Sequence, residues 1–169
     1  MTISEILRSE YDDEMGKTRA TLQRVPMDKP DFKPHEKSMP LGYLARHVAS
    51  LPEWIAQTIK RDIWDLTPAD GERYTMPEAA NTEELLALFD TSTKNARSAI
   101  GEASDERMQA LWSLIANGKE VIKQPRFLVV RTMLNHTYHH RAQLGVYLRL
   151  NNIPVPSIYG PSADEGSWG

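Results

Sequence analysis

Three of the five histidines in this chain lie within one six-residue stretch, Asn135-His136-Thr137-Tyr138-His139-His140. On an α-helix, at about 100° per residue, His136 and His140 stand only about 40° apart, so both rings leave the same side. Imidazoles four residues apart are the spacing that helical zinc sites use, because one turn brings two ring nitrogens within reach of a common point. The residue between them excludes one chemistry. Position 137 is Thr, so the HExxH pattern of the zinc proteases, with its glutamate base, is absent. Val129, Met133, Gln143 and Tyr147 share the histidine face. Gln143 and Tyr147 fall almost directly above His136, where either could hydrogen-bond a metal-bound water; helix packing is the competing role, and the favoured one for Tyr147.

Two imidazoles hold an ion weakly, so a third ligand must come from elsewhere, and His47 is the candidate. In its own helical segment it stands about 40° from Leu51 and about 60° from Leu44, at the edge of an apolar stripe. A lone histidine in that position is more often a hydrogen-bonded core residue than a ligand. Three imidazoles facing one core are harder to satisfy, because each ring needs partners for both nitrogens, and one ion supplies three partners at once. His139 projects about 100° away from His140, toward Leu128, Val146 and Leu150, and reads as a supporting or packing residue. A pairing of His136 with His139 at i, i+3 is the geometric alternative. Glu10, Asp12, Asp13 and Glu14 read mainly as a solvated acidic face, with Glu10 or Glu14 the only carboxylates placed to offer a fourth ligand. His35, in a proline-rich stretch, reads as a surface or capping histidine.

The elements that must position these residues follow from apolar periodicity. Ile3, Leu7, Tyr11, Met15, Thr18, Leu22 and Val25 mark a first helix from Ser4 to about Val25. Pro26, Pro30 and Pro34 make residues 26–37 a loop. Ser38 as N-cap, with Pro40 in the first turn, opens a second helix through Leu41, Leu44, Val48, Leu51, Ile55 and Ile59 to about Lys60, with a kink expected near Val48 from Pro52. Thr67 to Gly71 is turn chemistry. Asn81 with Glu84 caps a third helix that ends at Gly101. Asn117-Gly118 between Leu111–Ile115 and Lys119–Ile122 signals a small β-hairpin around 111–122, with a helix of broken tail as the competing reading. Pro125 opens a fourth helix to about Asn151, where Asn151-Asn152 can cap and Pro154 and Pro156 forbid continuation. The expected fold is all-α, four long amphipathic helices in a bundle, as a single domain over 1–169.

Composition narrows the function. The 169 residues carry a net charge of -3, with no run of five or more Lys/Arg, which argues against a nucleic-acid partner. No cysteine is present, so disulfides, thiolate zinc sites and cysteine nucleophiles are all excluded. The longest apolar run, Leu85–Phe89, is far short of a membrane span, and the N-terminal residues lack a secretory pattern, so a cytoplasmic protein without membrane contact is expected. Trp54, Trp64, Trp112 and Trp168 are too scattered in sequence to suggest a stacking platform. No glycine-rich phosphate loop or nucleophile elbow is visible.

Three stretches carry a family likeness: Phe32 to Met39 with Leu44-Ala45-Arg46-His47; His136 with His139-His140-Arg141-Ala142-Gln143-Leu144; and Pro154 to Glu165. With these the chain resembles the DinB family, a four-helix-bundle superfamily related to bacillithiol-type S-transferases and mycothiol-dependent maleylpyruvate isomerase. The resemblance implies a metal-binding bundle with a long crossover, commonly a homodimer, with His47, His136 and His140 as the metal triad. It also implies a low-molecular-weight thiol as co-substrate. Three imidazoles leave coordination positions open on a divalent transition metal, Zn²⁺ or Ni²⁺ first, where a thiol or water becomes nucleophilic at neutral pH. The expected activity is therefore metal-dependent S-transfer or hydrolysis on a small-molecule substrate. The alternative is a non-catalytic metal-binding or stress-response protein, and after it a helical interaction module without an ion.

Overall fold

The computed structural model describes residues 1–167. Four long helices dominate: α1 (Ile3–Leu22), α2 (Leu41–Lys60), α3 (Thr82–Glu102) and α5 (Arg126–Leu150), with a single short α4 (Asp105–Gln109) between the last two. Three strands, β1 (Ile63–Asp65), β2 (Leu111–Ala116) and β3 (Lys119–Pro125), form one small sheet in that order. The long helices match the sequence expectation closely, and the differences lie at their ends. A capping box starts α1: the Thr2 hydroxyl accepts from the Glu5 amide, and the Glu5 carboxylate accepts from the Thr2 amide. For α2 the expected Ser38 cap is not used. Pro40 occupies the N-cap without a side-chain hydrogen bond, its fixed φ setting up the first turn. The helix runs on through Pro52. Asn81 caps α3 as expected, accepting from the Glu84 amide at 2.9 Å.

The hairpin expected around 111–122 is present, and Asn117 (φ 51°) and Gly118 (φ 71°) both adopt the left-handed conformation that a two-residue type I′ turn requires. It belongs to a larger unit, because β1 pairs in parallel with β2, Ile63 opposite Ser113 and Asp65 opposite Ile115. Beneath the sheet lies a second small core of Trp64, Trp112, Leu114 and Val129, apart from the main core between the helices. Trp54 joins it: its ring centroid lies 4.6 Å from Trp64 and 5.2 Å from Tyr74. The scattered tryptophans are thus gathered by tertiary structure, apart from Trp168, which lies outside the described residues.

In the main core α2 packs against α3 and α5, and α1 packs against the same two helices. Leu7, Tyr11 and Met15 of α1, Leu44, Val48 and Ile55 of α2 and Val130, Leu134 and Leu144 of α5 all belong to this interior. The start of α5 is clamped by Arg126, which is 1% exposed. Its guanidinium donates to the carbonyls of Ala110, Leu111 and Arg61, and pairs with Asp62. One buried side chain therefore ties the helix that carries the histidine pair to the starts of β1 and β2. The other end stops at Asn151, with Asn152 left-handed (φ 57°) as the Asn-Asn cap predicts. No helix among the described residues is long and apolar enough to cross a membrane.

Candidate metal centre

His47 sits near the middle of α2, and His136 and His140 lie one turn apart on α5, at the contact between these two helices. One ligand nitrogen from each ring lies within 4.8 Å of the others. The Nε2 atoms of His47 and His136 are 3.3 Å apart, and the three ring centroids are separated by 4.6 to 5.0 Å. Zinc bound to imidazole at about 2.0–2.1 Å in tetrahedral geometry places its ligand nitrogens roughly 3.3–3.4 Å apart. The His47–His136 separation is that of two imidazoles on one ion, and with the third nitrogen within 4.8 Å of both, the group could hold a metal ion. Without an ion, one ring of the His47–His136 pair donates its proton to the other across this gap; an ion would take that proton's place.

The electrostatics agree. Burial pushes His47 down to about 4, with further repulsion from His140 and His136. Burial also lowers His136, followed by repulsion from His140 and His139. For His140 burial is again the largest cause, partly countered by a hydrogen bond with Gln143, and the net direction is down. All three rings are thus neutral at pH 7, the state in which an imidazole nitrogen offers a lone pair to a metal. His140 is 7% exposed and the other two are half-buried. Tyr43, 44% exposed, stacks on His47 with an interplanar angle of 17° and ring centroids 6.5 Å apart.

Among the described residues no further His, Asp or Glu joins the three-histidine group. His139 is exposed and outside it, so the i, i+3 pairing with His136 is not the one formed. Neither Glu10 nor Glu14 approaches as a fourth ligand, because both face the opposite side of α5. Glu10 accepts from Tyr138 at 3.1 Å and pairs with Arg131. Glu14, 5% exposed, pairs with Arg141 at 2.7 Å and accepts from Tyr159 at 2.9 Å. In the acidic group of α1, Asp12 and Asp13 are exposed as expected of a solvated face, while Glu10 and Glu14 tie α1 to α5 and Asp12 pairs with Arg97 of α3. Gln143 is not aimed at a bound water: its Oε1 lies 2.7 Å from His140 Nδ1 and its Nε2 lies 3.2 Å from His139 Nε2. Tyr147 packs, as favoured; its hydroxyl donates to the Met39 carbonyl at 3.0 Å and its ring meets Phe32 edge-on. His35 sits in the exposed loop, where its Nδ1 accepts from the Lys37 amide.

Sequence reasoning missed the Glu14–Arg141 pair, whose members are 127 positions apart, and left Gln143 between a bound water and helix packing without the contact to His140 that it makes. The i, i+3 spacing of His140 and Gln143 was the available signal for the second.

A mostly helical domain with three converging imidazoles and a small sheet defines the class. The chain belongs to the DinB family, whose model matches residues 5–167. Solved structures share this fold, two of them DinB-like proteins. A DinB-like protein from Bacillus cereus superimposes with a TM-score of 0.70 at 18% identity, covering 92% of this chain and 97% of that one. A DinB-like protein from Bacillus subtilis gives 0.67, also at 18% identity, covering 90% and 96%. No curated protein is significantly similar to the chain.

Proposed function

We propose that the protein is a metal-dependent enzyme that binds a divalent transition metal, Zn²⁺ or Ni²⁺, through His47, His136 and His140, and catalyses S-transfer or hydrolysis on a small-molecule substrate. The observation that carries this reading is the donor set: three neutral imidazoles converge, and no carboxylate among the described residues closes the group. Structural zinc sites are usually closed by four protein ligands, whereas catalytic sites keep a position open. An ion held by three imidazoles supplies Lewis acidity, lowering the pKa of a thiol or water that takes the open position. The chain's own residues do the rest. His47 brings α2 to the pair on α5, so the scaffold is best read as a four-helix bundle in which the site closes only when both helices dock. Tyr43 offers an exposed aromatic wall beside His47, suited to a small organic substrate.

The test is turnover by tag-free protein, metal-loaded and chelated, against an electrophile panel with several low-molecular-weight thiols and against a hydrolase panel. Turnover that requires metal and disappears in His136→Ala supports the enzyme. Metal uptake without turnover in either panel overturns it in favour of a non-catalytic metal-binding protein.

A further inference from the structure

The three ligand nitrogens can share an ion only if each ring holds the tautomer that leaves the inward nitrogen unprotonated. For His140 the structure contains a device that sets this choice. Gln143 stands one turn further along α5, and its Oε1 lies 2.7 Å from His140 Nδ1. A carboxamide oxygen only accepts, so Nδ1 must carry the proton and Nε2 is left with its lone pair. The opposite tautomer would protonate the nitrogen that a metal needs. The carboxamide is itself held at its other end: Gln143 Nε2 lies 3.2 Å from His139 Nε2, and an amide NH₂ only donates, so His139 accepts there. If the carboxamide turned over, its NH₂ would face His140 Nδ1 and its oxygen His139, and both contacts would need the other tautomers.

We propose that Gln143 is the positioning residue of the histidine centre, its carboxamide fixing His140 in the Nδ1–H tautomer and His139 fixing the carboxamide in turn. This inference rests on the metal-binding reading of the site. It gives His139 a role that its exposure and its exclusion from the ligand group otherwise leave unexplained. Partners that orient a metal-binding imidazole commonly account for about 10–100-fold in metal affinity.

The test uses two readouts. Zn²⁺ affinity is measured by competition with a chromophoric chelator for wild type, Gln143→Leu, Gln143→Asn, Gln143→Glu and His139→Ala. The tautomer of His140 is read in the metal-free proteins from ¹⁵N–¹H long-range NMR couplings. Gln143→Leu is expected to bind Zn²⁺ about 10–100-fold more weakly and to show mixed His140 tautomers. Gln143→Asn, one methylene too short, should behave like it. Gln143→Glu keeps the acceptor and should retain both affinity and the single tautomer. His139→Ala should weaken binding by less than Gln143→Leu does. The proposal is overturned if Gln143→Leu binds as wild type does and His140 keeps a single Nδ1–H tautomer. If even wild type takes up no Zn²⁺, the metal reading fails, while the tautomer measurement still decides whether Gln143 holds His140.

Discussion

The two sides of α5 carry polar clusters of opposite character. On the side toward α1, Arg141 and Glu14 are 4% and 7% exposed at their side chains, and their groups are used up by each other and by near neighbours. Arg141 donates to the Glu14 carbonyl, the Thr18 hydroxyl and the Tyr159 hydroxyl, and Tyr159 in turn donates to Glu14. On the side toward α2, His47, His136 and His140 direct nitrogens at one another, with no carboxylate among the described residues to balance them. Burial raises the Glu14 carboxyl, but hydrogen bonds from Arg141, Tyr159 and Lys17 outweigh it and hold the group below its usual range, so the pair stays charged. Burial discharges the imidazoles instead. A buried cluster that closes on itself serves the fold, whereas converging neutral imidazoles are an arrangement that could hold a metal ion.

The largest expected effect that would break this comparison is on stability. Arg141→Leu takes from Glu14 its buried ion-pair partner and leaves it only Lys17 and Tyr159, and should cost about 3 kcal/mol in urea unfolding of the metal-free protein. His136→Ala under the same conditions should cost about 1 kcal/mol or less, because it removes no charge partner. Equal losses would mean that both clusters are structural.

Zn²⁺ sharpens the contrast in the other direction. At a free concentration of 100 times Kd it should stabilise wild type by about 2.7 kcal/mol. For a chain of this size that is a rise in melting temperature of roughly 5–10 °C. The rise should vanish in His47→Ala, His136→Ala and His140→Ala, and persist in a variant of the charged cluster such as Tyr159→Phe.

Acid separates the two clusters by pH window. The folded His47 resists protonation down to about 4, while the unfolded imidazole takes a proton near 6.5. The unfolded state therefore binds more protons between these values, and metal-free stability falls as pH drops through that window. The contribution from Glu14 is intact above the unfolded carboxyl value of 4.5 and is lost only below it. In His47→Ala, pH-dependent chemical denaturation should show a shallower loss between pH 6.5 and 4 and an unchanged loss at lower pH. The smallest effect belongs to packing. Tyr147→Phe, which gives up one hydrogen bond to the Met39 carbonyl, should cost about 1 kcal/mol and leave Zn²⁺ affinity unchanged in the chelator competition.

How much of this was legible depended on whether the controlling interaction was local. The helices and the histidine pair could be read directly, because an apolar stripe and an i, i+4 spacing are properties of a few consecutive turns. His47 joined them through the apolar edge of its own helix. β1 is only three residues long and exists by pairing with a strand fifty positions away, so no pattern within Ile63–Asp65 announces it. α4 is barely more than a turn, marked only by the Ser104 cap and two acidic residues after it. The gathering of Trp54, Trp64 and Tyr74, and the pairing of Glu14 with Arg141, are tertiary events with no signal in either segment alone. Gln143 is the intermediate case: its spacing from His140 was visible, but whether its carboxamide faced the ring or the open side of the site was not.

The central claim is the metal, and elemental analysis tests it most directly. Tag-free wild type and the alanine variants of His47, His136, His139 and His140 are purified, reconstituted with Zn²⁺ or Ni²⁺, desalted and analysed by inductively coupled plasma mass spectrometry. The account predicts close to one transition-metal ion per chain in wild type and in His139→Ala, and its loss in His47→Ala, His136→Ala and His140→Ala. Metal-free wild type after reconstitution, or metal that depends on His139 and not on His140, would contradict it.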